Sequence, residues 1–310
     1  MAAEGTSPVP ARDAATLILV RDADGLSEMS LEVCMVRRHL DSEFVGGAYV
    51  FPGGKVDVHD RSTAAGHACA GRDDAQASEL LGVDSGGLAF WVAALRECFE
   101  EAGVLLAYQD GPDAHGELID MTLPLARQRL ALLRHRLNAG EISFLDLLRG
   151  ERLQLAADRV LYFSHWVTPV GAPRRYDTRF FVAAVPNGQV PVHDEHETVD
   201  TVWVRPADAL ARAAVGELDI IFPTMKNLQA VGRFGTAAEL LGAVAAVDHV
   251  PTVLPRVVAD AHGFRILLPG DAGYDAALPS GTTVSSQSLG SAQVAEAVRS
   301  IDIHGRSRRR

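Results

Sequence analysis

Arg96-Glu97-Cys98-Phe99-Glu100-Glu101-Ala102-Gly103-Val104 decides how this 310-residue chain is read. Leu95, Cys98, Phe99 and Ala102 recur at helical spacing, which predicts a helix over about 88–102 with Gly103 as its C-terminal cap. Glu97 stands three residues before Glu100 and four before Glu101, so the three carboxylates share the face opposite the apolar stripe. Like charges so placed destabilise a bare helix by about 0.2–0.5 kcal/mol per pair. A hard cation reverses that sign, because Mg²⁺ takes oxygen ligands from a few carboxylates together with substrate phosphates. A Glu-rich helix face taken alone is more often merely solvated, so the neighbouring segments decide.

Working outward, Phe51-Pro52-Gly53-Gly54-Lys55 is a Gly-rich turn that ends a short strand, and Asp57 and Asp60 follow it. The runs at 16–20 and 31–36 read as two adjacent strands with turn residues between them. Residues 61–87 are polar and glycine-containing, with no sustained period. Helices are expected at 122–138 and 143–149, strands at 161–168, 179–185 and 201–204, and further helices at 206–215 and 222–233. Short strands mixed with helices give an α+β class. Past Gly235 the pattern changes, and 276–310, ending in a basic tail, reads as disordered or loosely attached.

Composition excludes several function classes. The net charge of −11 argues against a general nucleic-acid binder, which needs dense Lys and Arg to neutralise phosphates. No apolar run approaches the roughly 18 residues of a membrane span. Cys34, Cys69 and Cys98 are too few and too scattered for a disulfide framework or a zinc site, and they suit a reducing compartment. The start of the chain lacks the features of a secretory signal and its end lacks a peroxisomal tripeptide, so a cytoplasmic location is expected.

Taken together, the two segments resemble the split signature of the Nudix hydrolases. That signature reads Gly, five residues, Glu, seven residues, then Arg-Glu-apolar-x-Glu-Glu-x-Gly-apolar. Gly54 opens the match and Asp60 stands where the family has Glu. Arg96, Glu97, Cys98, Glu100, Glu101, Gly103 and Val104 fit the second half position by position. Residues 61–95, thirty-five in all, occupy the space where the pattern has seven. An insertion here, with the wording FPGGKVD and AALRECFEEAGVLL, is similar to the peroxisomal acyl-coenzyme A diphosphatases of animals and their bacterial relatives. His165 to Pro169, Arg174 to Phe181 and the acidic loop His193 to Glu197 extend the likeness, which covers about 12–235.

The resemblance implies an α/β/α sandwich with a mixed sheet, spanning 12–235 with an inserted loop and an added helical segment at about 122–158. Residues 236–310 form a C-terminal extension. It implies Mg²⁺ or Mn²⁺ held by Glu97, Glu100 and Glu101, with a backbone carbonyl near Gly53 completing the cage. A separate carboxylate, Glu195 or Glu197, takes the proton of the attacking water. Arg96 pairs with Asp60 and orients the loop instead of touching substrate.

For the substrate, Arg174, Arg175 and Arg179 crowd one segment and suit phosphate, with Arg37-Arg38-His39 a weaker case. Trp166, Tyr176 and Phe180 serve either to stack a base or as core. The expected reaction converts coenzyme A or acyl-coenzyme A to adenosine 3′,5′-bisphosphate and a phosphopantetheine compound. The alternatives are ADP-ribose, NADH or dinucleoside polyphosphates as substrates, or a nucleotide sensor that does not cleave. The expected partner is a small-molecule nucleotide, with neither nucleic acid nor membrane, and a homodimer is left open.

Overall fold

Thr16-Leu17-Ile18-Leu19-Val20 is apolar at consecutive positions because its strand is covered on both faces. In the computed structural model, which describes residues 9–23, 30–42, 45–109, 116–260 and 263–277, this strand is β1 (Arg12–Asp22). Leu17 and Leu19 pack with Trp91, Phe99 and Phe181, whereas Ile18 and Val20 pack with Met35, Phe222 and Leu228. The period-2 alternation of a strand thus feeds two separate cores.

The chain continues through β2 (Leu31–Arg38), β3 (Tyr49–Val50) and β4 (Gly53–Lys55). Helices α1 (Thr63–His67) and α2 (Asp74–Leu81) flank β5 (Cys69–Ala70), and then come α3 (Leu88–Ala102) and β6 (Ala107–Gln109). Helices α4 (Pro124–Asn138) and α5 (Phe144–Glu151) precede β7 (Leu153–Ala156), β8 (Leu161–Val167), β9 (Tyr176–Ala184) and β10 (Thr198–Val204). Three helices follow, α6 (Pro206–Ala214), α7 (Phe222–Val231) and α8 (Ala237–Ala245), then β11 (Thr252–Val253) and the hairpin of β12 (Arg256–Asp260) and β13 (Gly263–Leu267).

The main sheet runs β10-β2-β1-β9-β8-β11, with β3 beside β2 and β4 beside β1. β1 and β9 are parallel, and β1 pairs antiparallel with β2 and β4. Helix α3 covers one face, where Trp91 and Phe181 lie 4.6 Å apart, centroid to centroid. Helices α6, α7 and α8 cover the other. This is the α/β/α sandwich with a mixed sheet that the sequence led us to expect.

The inserted segment 61–87 is more structured than its lack of period suggests. Helix α1 is capped by Ser62, and α2 begins with a capping box between Asp73 and Gln76. Capping, not an apolar stripe, defines these helices, since α2 buries only Ala77, Ser78 and Leu81. The segment also docks: the Asp74 carboxylate accepts from the backbone N–H groups of Gly86 and Leu88, and Ser78 accepts from Gly87. The insertion therefore caps the N-terminus of α3. A second small sheet, β5-β7-β6, joins the insertion to the added helical segment.

Residues past Gly235 join the same body. Leu240 and Val244 of α8 are buried in the second core, and β11 pairs in parallel with β8. The segment expected to be disordered lies, beyond Ala277, outside the described residues.

Candidate active site

The amide and the small size of two adjacent glycines shape the centre of the site. The Gly53 N–H donates to Glu101 Oε2 at 3.0 Å. A β-carbon at Gly54 would come within 2.4–2.7 Å of the Glu97 carboxylate, so only glycine leaves that carboxylate its place. At Gly53 the same atom would meet backbone and side chain of Ala15 and Thr16 at 2.5–2.6 Å, where β4 pairs with β1. The two replacements should therefore differ. Gly54→Ala should keep its melting temperature within a few degrees and lose most activity, because a side chain must yield. Gly53→Ala should lower the melting temperature as well, because main chain must yield, and thermal melting beside an activity assay separates the two.

Arg96 uses all five guanidinium N–H groups. Nε and Nη2 donate to the two oxygens of Asp60, both at 3.0 Å. Nη1 donates to Glu97 at 2.9 Å and to Glu100 at 2.8 Å, and Nη2 also reaches the Lys55 carbonyl at 2.9 Å. Asp60 is buried in a short turn and also accepts from the Asp57 N–H. The shorter aspartate thus reaches Arg96 because the loop closes in on it. Asp57 stands farther off, 3.7 Å from Arg96, and is exposed.

Burial dominates the electrostatics. It pushes Glu97 up to about 8, an effect that Arg96 opposes and Glu100 reinforces. Burial, then Glu97, raises Glu101 well above the usual carboxylate range, and Glu100 is raised for the same first reason. Sequence periodicity put the three acids on an open polar face, but Glu101 is only 2% exposed. Helix α3 is enclosed on nearly every side, because the insertion and α4 cover what would be its solvent face.

Its C-terminal end is held from outside the signature. Gly103 is left-handed at φ 69°, and its N–H bonds to the Phe99 carbonyl. Arg134 donates twice to the Glu100 carbonyl, at 3.0 and 2.9 Å, and Asn138 donates once, at 3.1 Å. The fully buried Thr198 hydroxyl reaches the Glu101 carbonyl at 3.1 Å and ties the acidic loop to the helix. Sequence reading missed Arg134, Asn138 and Thr198, since nothing local marks a side chain that caps a distant helix.

A cleft of about 850 Å³ opens at this centre. Glu97, Glu100, Gly53 and Gly54 line it, as does Glu197 from the acidic loop. The negative field of Glu197 helps to raise Glu97, Glu100 and Glu101 alike. Glu195 is not among the lining residues and takes a left-handed turn conformation at φ 67°. For Gly53 the visible contact to the acids is its N–H rather than its carbonyl.

The arginine triplet does not converge, which corrects the expectation of one phosphate cluster at Arg174, Arg175 and Arg179. Arg174 lines the cleft with Tyr176, Thr178 and Phe180. Arg175 and Arg179 fall at the alternate positions and turn away. Arg175 donates to the Val9 and Thr168 carbonyls. Arg179 is buried, bonds Asp177 at 2.7 Å and lies over the Phe90 ring at 4.4 Å. Arg38 and Lys55 instead line the cleft, and Arg38 Nε is buried without a hydrogen-bond partner. Trp166 and Phe180 both line the cleft and belong to the second core.

The acids offer only oxygen donors, the set preferred by hard divalent cations. Desolvated and mutually repelling, they suit such an ion, and glycine at position 54 leaves the Glu97 carboxylate its place. As the side chains stand, no three His, Cys, Asp or Glu among the described residues already meet as a metal cage. Arg96 supplies balancing positive charge to Glu97 and Glu100, and the Gly53 N–H gives Glu101 a hydrogen bond.

A sequence model described as the NUDT19 Nudix domain matches residues 70–231, just over half of the chain. The chain belongs to this Nudix family. It is thus a Nudix diphosphate hydrolase, an enzyme class that generally uses divalent metals. The acyl-coenzyme A diphosphatase NUDT19 of Gallus gallus is 29% identical over 304 residues, covering 85% of this chain and 79% of that protein. The Homo sapiens protein of the same name is 28% identical over 275 residues, covering 77% and 71%. Among solved structures, a NUDIX hydrolase from Alicyclobacillus acidocaldarius is similar at 29% identity with a TM-score of 0.58, covering 78% of this chain and 99% of that one. No helix among the described residues is long and apolar enough to cross a membrane.

Proposed function

We propose that this enzyme hydrolyses the diphosphate of coenzyme A and its thioesters, giving adenosine 3′,5′-bisphosphate and phosphopantetheine or its acylated form. The observation that carries the reading is the cleft itself, whose lining joins the signature acids Glu97 and Glu100 to apolar residues such as Trp166, Phe222 and Ile266. The names of the relatives point to the same substrate class. Water adds to one phosphorus as the bridging P–O bond breaks, and Glu197 takes the proton of that water. Glu97, Glu100 and Glu101 would hold Mg²⁺ or Mn²⁺, which when bound neutralises phosphate charge and acidifies water. Arg96 keeps Glu97 and Glu100 in place through its Nη1. Arg38, Lys55 and Arg174 face the cleft and supply cations for substrate phosphates. The free thiols Cys34, Cys69 and Cys98 suit a reducing compartment.

A substrate panel tests this reading, with Mg²⁺ and Mn²⁺ in parallel. It comprises coenzyme A, acyl-coenzyme A, dephospho-coenzyme A, ADP-ribose, NADH and diadenosine polyphosphates, with products read by chromatography. The 3′-phosphate of coenzyme A carries about −1.5 to −2 charge near neutral pH. One charged hydrogen bond is worth about 1.5–3 kcal/mol, so kcat/KM should favour coenzyme A over dephospho-coenzyme A by roughly tenfold or more. Arg174→Ala should shrink that ratio. Arg179→Ala should instead lower stability, since it leaves Asp177 short of a partner. Equal rates on both compounds, or a preference for ADP-ribose, would sink the coenzyme A reading.

A further inference from the structure

The far end of the cleft is built by the segment after Gly235, which lies outside the signature and has no assigned role. Strand β11 pairs Thr252 with His165 and Val253 with Trp166, and Thr252 Oγ1 lies 2.9 Å from His165 Nδ1. The next residues place Pro255 on the cleft wall, and the β12–β13 hairpin places Ile266 there opposite its register partner Val257. Both Val257 and Ile266 are buried in the second core. The Arg256 guanidinium lies over the Tyr274 ring at 4.2 Å, and the Tyr274 hydroxyl donates to the Leu254 carbonyl at 2.7 Å. Pro255 and Ile266 thus form a fastened wall.

Trp166 and Phe222, whose rings meet edge to face at 6.2 Å, line the cleft as well and share the second core with Ile266. The acids that line the cleft are Asp41, Asp57, Glu97, Glu100 and Glu197, and none comes from the segments that build this end. Across the main sheet the path from the Gly53 strand to the C-terminal strand is β4-β1-β9-β8-β11. Four strand spacings make this about 19 Å, more than a nucleoside beside its diphosphate fills. A long arm whose far end is apolar matches such a path.

Resting on the coenzyme A reading above, we propose that Pro255 and Ile266 form the acyl subsite and set the enzyme's preference for the acyl length of its thioester substrate. The ligand class is the aliphatic chain of an acyl-coenzyme A. An acyl group of matching length buries its methylenes against Trp166, Phe222 and Ile266, whereas free coenzyme A leaves this end unfilled.

The test compares wild type with Ile266→Val and Ile266→Phe on free coenzyme A and on thioesters from acetyl to palmitoyl, with thermal melting to confirm folding. A methylene gained or lost in an apolar pocket changes discrimination by about 10–200-fold. Ile266→Phe should lower the kcat/KM of the preferred chain relative to free coenzyme A by at least about tenfold and shift the optimum to shorter chains. Ile266→Val should shift it to longer ones. Because Ile266→Phe overfills a buried site, a second measurement uses wild type alone: hydrogen exchange without divalent ion, with added coenzyme A or octanoyl-coenzyme A. Backbone amides of 252–257 and 265–268 should be protected by the acyl compound beyond the protection given by coenzyme A. A parallel loss on every substrate, or equal protection by both, would overturn the acyl subsite and place the nucleoside or a purely structural wall there. If wild type cleaves no coenzyme A compound, the parent reading fails and takes this one with it. An unchanged chain-length profile with wild-type turnover intact removes this proposal alone.

Discussion

Glu101→Gln should lower turnover by at least about 10³-fold while leaving the melting temperature of the metal-free protein at or above that of wild type. The activity loss follows from removing a ligand charge at a centre whose chemistry rests on neutralising a diphosphate, where several kcal/mol of barrier are at stake. The tolerance of the fold follows from burial. Glu101 is enclosed, and its charged form is disfavoured by desolvation and by Glu97. The amide that replaces it keeps an oxygen for the Gly53 N–H. Near-normal turnover would remove Glu101 from the metal site, and a lost transition in thermal melting would make its role structural.

The second large effect is expected at Arg96. Arg96→Ala strips the buried Asp60 of both guanidinium bonds and leaves Glu97 and Glu100 without their shared donor. Removing one partner of such a buried set costs about 3–5 kcal/mol. Turnover should fall by roughly 10²-fold or more, because Glu97 and Glu100 lose the group that orients them. Asp60→Ala should cost less, since Arg96 retains Glu97, Glu100 and the Lys55 carbonyl. The double variant should be little worse than Arg96→Ala, with a coupling of about 0.5–3 kcal/mol in a double-mutant cycle by denaturant unfolding. Additive losses would show that the two side chains act independently. Asp60→Glu restores the residue of the general Nudix pattern, yet the loop has closed around the shorter side chain. The extra methylene should cost about 1–3 kcal/mol, read in the same unfolding assay.

Much of this was legible in the chain, for a definite reason. Gly54, Asp60 and the run Arg96–Val104 are read locally, because a helix brings residues three and four apart together and the signature is a set of residue types at fixed spacing. Strand β1 is equally local, since a short apolar run of strand length bounded by turn residues is read without its partners. From such features the sequence by itself determined the α+β class, the residues that carry the charge and the signature, whose family resemblance implies the layered sandwich.

What tertiary structure alone decided is which way side chains face and what covers them. Arg174, Arg175 and Arg179 look alike on the page, but the pairing of β9 with β1 and β8 sends Arg179 into the layer against Phe90, turns Arg175 to the Thr168 and Val9 carbonyls and leaves Arg174 on the cleft. Glu101 sits on a helix face that periodicity paints as polar, and its burial comes from distant segments, with Gly53 at its carboxylate, Thr198 at its carbonyl and Arg134 of α4 at the neighbouring Glu100 carbonyl. Pro255 and Ile266 carry no motif, and their place on the cleft follows from β11 adding to the edge of β8. Local patterns report the period of a segment, whereas strand register and docking join residues far apart in sequence, and no short-range signal encodes them.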